Sequence, residues 1–253
     1  MPDPSREPTR RPRSELPLVQ LIPNMLTVAA LCSGLSAIRF AISGQFGMAA
    51  GLIVLAAVLD GLDGRIARLL KSESEIGAEL DSLADFVSFG VAPGFIMYLW
   101  ALHDMPRAGW IVALVYIVCC VLRLARFNII SRAAEPTDGA HFRGVPSPAG
   151  ALLAMMPLFF VFMQDLSHEL PAPFVAVWML FVGWLMIGKF PTPSFKKATI
   201  YTDHVHYLVV GFVALVAALV TYPWVTLFVL DLGYGLMLLF TWRQRRKVSK
   251  GPD

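Results

Sequence analysis

Residues 51–90 read GLIVLAAVLDGLDGRIARLLKSESEIGAELDSLADFVSFG. A short polar stretch divides two apolar runs, and four aspartates, Asp60, Asp63, Asp81 and Asp85, lie within the runs. Runs of this length span a bilayer. Inside one, each carboxylate costs roughly 2.5–3.5 kcal/mol on the insertion scale. Four such residues in adjacent spans need a compensating ligand or partner.

The rest of the chain agrees with a membrane setting. Of its 253 residues 57% are apolar and 15% charged, and the mean hydropathy is +0.64. A soluble domain carries about one quarter charged residues. These values exclude a disordered chain, a disulfide scaffold and an ordinary soluble globule. Cys32, Cys119 and Cys120 sit in apolar runs without metal-ligand spacing, as small packing residues do. The polar, Arg-rich start has no early apolar segment or small-residue cleavage site, so no cleaved signal peptide is expected.

The expected fold is all-α, a polytopic membrane bundle of about eight transmembrane helices. The runs place them near 25–43, 47–70, 78–102, 108–131, 148–164, 172–188, 205–221 and 224–241. Prolines 23, 106, 148, 171 and 223 fall at or near helix starts, where a missing N–H is harmless. With both termini cytosolic, all of the 21 Lys and Arg except Arg39 and Arg107 fall in cytosolic tails, loops or helix ends. That bias follows the positive-inside rule. The expected organisation is a basic tail and interfacial segment over 1–21, a membrane domain over 22–242 and a basic tail over 243–253. The first tail serves either as a topology signal or as a contact to anionic lipid.

Helical geometry gathers the acids. At 100° per residue Asp60, Asp63, Gly64 and Ala67 share one face of the second helix, and Asp81 and Asp85 share one face of the third. Counting ~1.5 Å per residue from Arg68 and Ala78, Asp60 and Asp63 lie about 12 and 8 Å deep, and Asp81 and Asp85 about 5 and 11 Å. Antiparallel neighbours therefore bring all four to one level. Four converging carboxylates cannot all stay ionised without cations, and hard divalent ions such as Mg²⁺ or Mn²⁺ suit oxygen ligands. Gly64 and Ala67 leave room for a bulky group, and Arg68 offers a fork to phosphate. Together they suggest a phosphate-bearing ligand bridged by two metals.

The pattern Asp60-x-x-Asp63-Gly64-x-x-Ala67-Arg68, then Gly77-x-x-x-Asp81-x-x-x-Asp85, resembles the signature of CDP-alcohol phosphotransferases at every position. IPNMLT, AELDSLADFVSFGVAPG, RLARFN, FRGVPSPAG and PTPSFKK extend the likeness from about residue 22 to about 197, toward the phosphatidylserine synthase branch. The resemblance implies a membrane-embedded bundle, usually a homodimer, in a bacterial-type inner membrane with its active site facing the cytosol. Its donor would be CDP-diacylglycerol, its acceptor the L-serine hydroxyl, and its products phosphatidylserine and CMP. It further implies that Asp60, Asp63, Asp81 and Asp85 hold two Mg²⁺ or Mn²⁺ ions, with Asp85 the general base. Gly64, Ala67, Arg68 and Gly77 would receive the CDP moiety, joined by Asn24 and Thr27.

The acceptor stays open among serine, choline, inositol phosphate and glycerol phosphate. Arg123 and Arg126, at i and i+3 on the fourth helix, and Arg143, Lys196 and Lys197 are candidates to bind the acceptor or a phosphate. Each is otherwise a positive-inside anchor. Ser147 and Ser194 are candidates to position polar groups. His204 and His206 beside Asp203 suit an interfacial polar role. Trp100, Trp110, Trp224 and Trp242 read as interface anchors. No nucleic-acid partner is expected. A cation transporter with acids along its path is the competing class, but it leaves Gly64, Ala67, Arg68 and Gly77 without a purpose.

Overall fold

Each apolar run folds as a helix, because a chain in lipid must satisfy its backbone within itself. The computed structural model describes residues 21–70, 72, 74–133, 144–164, 170–188 and 205–248. Among these there are eight helices and no strand: α1 Ile22–Ile42, α2 Phe46–Leu70, α3 Glu75–Leu102, α4 Pro106–Ala133, α5 Ser147–Met163, α6 Ala172–Ile187, α7 Val205–Thr221 and α8 Pro223–Val248. α1 to α4 and α8 are long and apolar enough to cross a membrane, while α5, α6 and the apolar part of α7 are shorter. The chain is an integral membrane protein built as a helical bundle. Arg143, Lys196, Lys197, Ser194, Asp203, His204 and the tail before residue 21 lie outside the described residues, as does the side chain of His206.

Small residues set the closest approach. Ala30, Gly34, Ala37 and Ala41 recur every three or four positions along α1 and are buried, as are Ala49, Ala50 and Ala56 of its neighbour α2. In membranes such stripes let helix backbones meet. Across from the same stripe, a Cβ on Gly34 would fall 2.6 Å from Ser88 Oγ of α3. Ser88 in turn donates to the Ala30 carbonyl at 3.2 Å, and Ser33 donates to the Leu52 carbonyl at 2.8 Å.

α3 departs from the regular helix the sequence suggests. Phe86–Val91 and Tyr98–Leu102 wind as π-helix, the first of them starting directly after Asp85. Pro93 lacks the N–H that would reach the Phe89 carbonyl in an α-helix. The Tyr116 hydroxyl of α4 donates to that carbonyl instead, at 2.9 Å. α5 repeats the device. Pro157 cannot serve the Leu153 carbonyl, and Trp178 Nε1 of α6 donates there at 2.7 Å. Neighbouring helices thus complete backbone groups that the prolines leave bare.

Trp100 is a correction to the expected interface anchors. It lies within the second π stretch and packs in the core, 3% exposed. The local winding turns it inward, while Trp110 stays at the surface against the edges of Phe95 and Tyr98. The three cysteines are free, as expected. α8 runs to Val248, past the expected end near 241, so Arg243, Arg245 and Arg246 lie on its final turns.

Candidate active site

The C-terminal turns of α2, the start of α3, the end of α4 and the start of α5 meet at one end of the bundle. Ser74 begins α3 by accepting the Gly77 N–H on its Oγ at 3.0 Å, an ordinary N-cap. A Cβ on Gly77 would lie 3.0 Å from both Asn24 Oδ1 and Ser74 Oγ, so this position takes a glycine. The close approach brings the start of α1 against the start of α3 and sets the aspartates of α3 opposite those of α2.

Carboxylate oxygens of Asp60, Asp63 and Asp81 all lie within 4.8 Å of one another. They are close enough to share a cation, and an all-oxygen donor set is what a hard divalent ion takes. Asp63 is buried, and the Thr27 hydroxyl donates to its Oδ2 at 2.7 Å. Thr27 is itself buried, so it faces the carboxylate of Asp63 rather than an open nucleotide site. Asp60 and Asp81 are half-buried on the rim of the cluster. Asp85 stands beside it, within hydrogen-bond reach of Asp60.

A cavity of about 390 Å³ opens from this cluster, with Asp60, Asp81, Asp85, Arg123, Asn128 and Ser147 on its walls. Arg123 NH1 donates to Ser147 Oγ at 2.7 Å, and Ser147 Oγ donates to Asp85 Oδ2 at 3.2 Å. Arg123 Nε donates to the Val145 carbonyl at 3.1 Å, and its guanidinium lies 5.6 Å over the Phe127 ring. The fork is therefore held on three sides. Gly144 makes the arrangement possible: its φ of +95° suits only glycine, and a Cβ there would lie 2.8 Å from the Met186 carbonyl. The chain can then turn into α5 with Ser147, fully buried, aimed at Asp85.

The other expected residues are placed as follows. Among the described residues a Cβ on Gly64 would meet nothing within 4 Å, and Gly64 is exposed on the face beside the cluster. Ala67 is half-buried on that face, and Arg68 is exposed with its Nε on the Gly64 carbonyl at 2.9 Å. Arg126 NH1 donates to the Ile187 carbonyl at 3.3 Å, closing the end of α6 and lying apart from the acids. Sequence reasoning passed over Ser82 and Asn128, which bond each other on the cavity wall at 2.9 Å. An Asn two and five residues after Arg126 and Arg123, near a span end, was the available signal. It also passed over Asp231 and Tyr234 of α8, although an acid within the run TLFVLDLGYG is as costly in lipid as those of α2.

The Thr27–Asp63 bond has a measurable consequence. Groups that hydrogen-bond a metal ligand are worth about 10- to 100-fold in metal affinity. Thr27→Val should raise the divalent ion concentration for half-maximal activity by that factor, with maximal rate nearly kept; titrating activity against added metal reads it.

Comparison with known proteins places this geometry. Residues 20–188 match the family described as CDP-alcohol phosphatidyltransferase. A Mycobacterium leprae protein named CDP-diacylglycerol–serine O-phosphatidyltransferase is 36% identical over 97% of this chain and 82% of its own length. Proteins of the same name from Helicobacter pylori (37% identical over 70% of this chain and 73% of theirs) and Bacillus subtilis (35% over 70% and 92%) are also similar. The match spans α1 through α6, the helices that supply the acid cluster and the Arg123–Ser147–Asp85 line, and with it the chain belongs to the CDP-alcohol phosphatidyltransferase family.

Proposed function

We propose that the chain transfers the phosphatidyl group of CDP-diacylglycerol to the hydroxyl of L-serine, giving phosphatidylserine and CMP. The observation that carries this reading is the convergence of Asp60, Asp63 and Asp81 beside Asp85 at the mouth of a cavity near one end of the bundle. The names of the similar bacterial proteins support serine as acceptor.

Asp60, Asp63 and Asp81 would hold two divalent ions, Mg²⁺ or Mn²⁺, with Asp85 completing the set. Such ions, when bound, neutralise the pyrophosphate and stabilise the departing CMP. The chain's own groups do the rest. Gly64 and Ala67 leave the open face on which the nucleotide lies, and exposed Arg68 reaches its phosphates. Asp85 takes the proton from the serine hydroxyl as its oxygen attacks the lipid-side phosphorus. The bond from that phosphorus to the CMP oxygen breaks as the new ester forms. Ser147 fixes one oxygen of Asp85, leaving the other to face the acceptor. Arg123, held over the cavity, is the cation placed to meet the serine carboxylate.

The reading sets both termini and the cavity on the cytosolic side of a bacterial inner membrane, in line with the distribution of Lys and Arg. The division at residues 21 and 242 and a paired assembly belong to the same proposal; the mass of the detergent-purified protein checks the pairing.

Purified protein with Mg²⁺ or Mn²⁺ should release CMP from CDP-diacylglycerol only when L-serine is added, and a chelator should abolish the release until metal is restored. Release with choline, inositol phosphate or glycerol phosphate but not with serine would overturn the acceptor. No release with any alcohol from folded protein would overturn the reaction and favour a transporter.

A further inference from the structure

Beyond the catalytic cavity, an apolar crevice of about 390 Å³ runs between α6 and α8 over α5. Trp178 and Trp184 form one wall, Leu153 and Met156 the floor, and Gly235 and Trp242 the other wall. Asp231 also lines it. This residue is 5% exposed, and among the described residues its Oδ2 has no hydrogen-bond partner. A polar group buried in an apolar setting is costly unless a partner meets it, so Asp231 points to a ligand.

Two observations identify it. Val145 lines the crevice while the next residues, Pro146 and Ser147, line the catalytic cavity, so the two spaces share a wall. Depth is the second. Counting ~1.5 Å per residue from Trp242, Asp231 lies about 16 Å from the end of the bundle that holds the site, roughly 5 Å deeper than Asp85. A phosphatidyl group with its phosphorus at the aspartates carries its ester carbonyls several bonds deeper, and its chains deeper still. In its acid form Asp231 offers an O–H donor, and an ester carbonyl is a pure acceptor.

We infer that this crevice seats one acyl chain of the phosphatidyl donor, with Asp231 donating to its ester carbonyl. The inference rests on CDP-diacylglycerol being the donor. It assigns α8, which lies outside residues 20–188 of the family match, to recognition of the lipid.

The test uses the full chain in mixed micelles with two donors, the diester CDP-diacylglycerol and its diether analogue, which lacks the carbonyls. Asp231→Leu should raise KM for the diester about 5- to 10-fold and leave KM for the diether unchanged. Gly235→Leu fills the crevice from a position where a Cβ meets nothing within 4 Å, so the backbone need not shift. It should raise KM for both long-chain donors and spare a dihexanoyl donor. Parallel changes for diester and diether, or no change in folded protein, would overturn the inference and leave the crevice to bulk lipid. Should Asp231→Leu fail to fold, Gly235→Leu decides: equal KM changes for long-chain and dihexanoyl donors, or none, would overturn the inference. Absence of CMP release from the wild-type chain would instead overturn the donor assignment, and the inference with it.

Discussion

Asp85→Asn should lower kcat for serine-dependent CMP release by roughly 10²- to 10⁴-fold, the usual worth of a positioned general base. KM for CDP-diacylglycerol should move little. The metal needed for half-maximal rate should rise, because Asp85 completes the set, but metal should still bind at saturation through the Asp60, Asp63 and Asp81 cluster within 4.8 Å. The amide matches the carboxylate in size and can still accept the Ser147 hydroxyl. What it lacks is the capacity to take the acceptor's proton. Steady-state kinetics with varied serine, donor and metal separate these outcomes. A rise in the metal needed for half-maximal rate, without loss of kcat at saturation, would leave Asp85 a metal ligand alone and send the search for the base elsewhere. Asp60→Asn is the contrasting variant: it should act first through metal affinity.

Arg123→Ala should cost about 2–5 kcal/mol in kcat/KM, the penalty for truncating a buried, hydrogen-bonded charge. Three contacts go at once: Ser147 Oγ, the Val145 carbonyl and the Phe127 ring. Arg123→Lys should recover little, because one ammonium cannot reproduce a fork that serves Val145 through Nε and Ser147 through NH1. Ser147→Ala should fall well short of the Arg123→Ala loss, since Val145 and Phe127 still hold the guanidinium. The double variant should then lose less than the two single losses together, as expected for groups that act as one unit. Full additivity, measured as kcat/KM for serine, would show that Arg123 and Ser147 do not form a line to Asp85.

The acid cluster was legible because an apolar run long enough to cross a bilayer fixes each helix, and an acid within such a run is rare enough to carry information by itself. Asp60 and Asp63, and Asp81 and Asp85, are three and four residues apart and so share a helix face. Span positions followed from hydropathy, and Pro106 and Pro223 marked the helix starts. What stayed hidden depends on contacts between distant segments. Nothing local tells that Thr27 faces Asp63, 36 residues away, or that Ser147 reaches Asp85, 62 residues away. Trp100 misled because its position in the run suits an interface, whereas it lies in the π stretch Tyr98–Leu102 and packs in the core, which hydropathy does not foretell. Asp231 was legible by the same rule as Asp60, but without a second acid at helical spacing it formed no pattern.

The carbonyls of Phe89 and Leu153 bear on how the chain is assembled. Each is completed by a side chain from the very next helix, Tyr116 of α4 for α3 and Trp178 of α6 for α5. A growing chain that released α3 or α5 alone into the bilayer would leave a backbone acceptor facing hydrocarbon, at a cost of several kcal/mol. Each of these helices is therefore best handed to the lipid together with its successor. On this basis biogenesis proceeds by hairpins, and the catalytic end is assembled when the α5–α6 hairpin docks Ser147 against the finished α3–α4 unit.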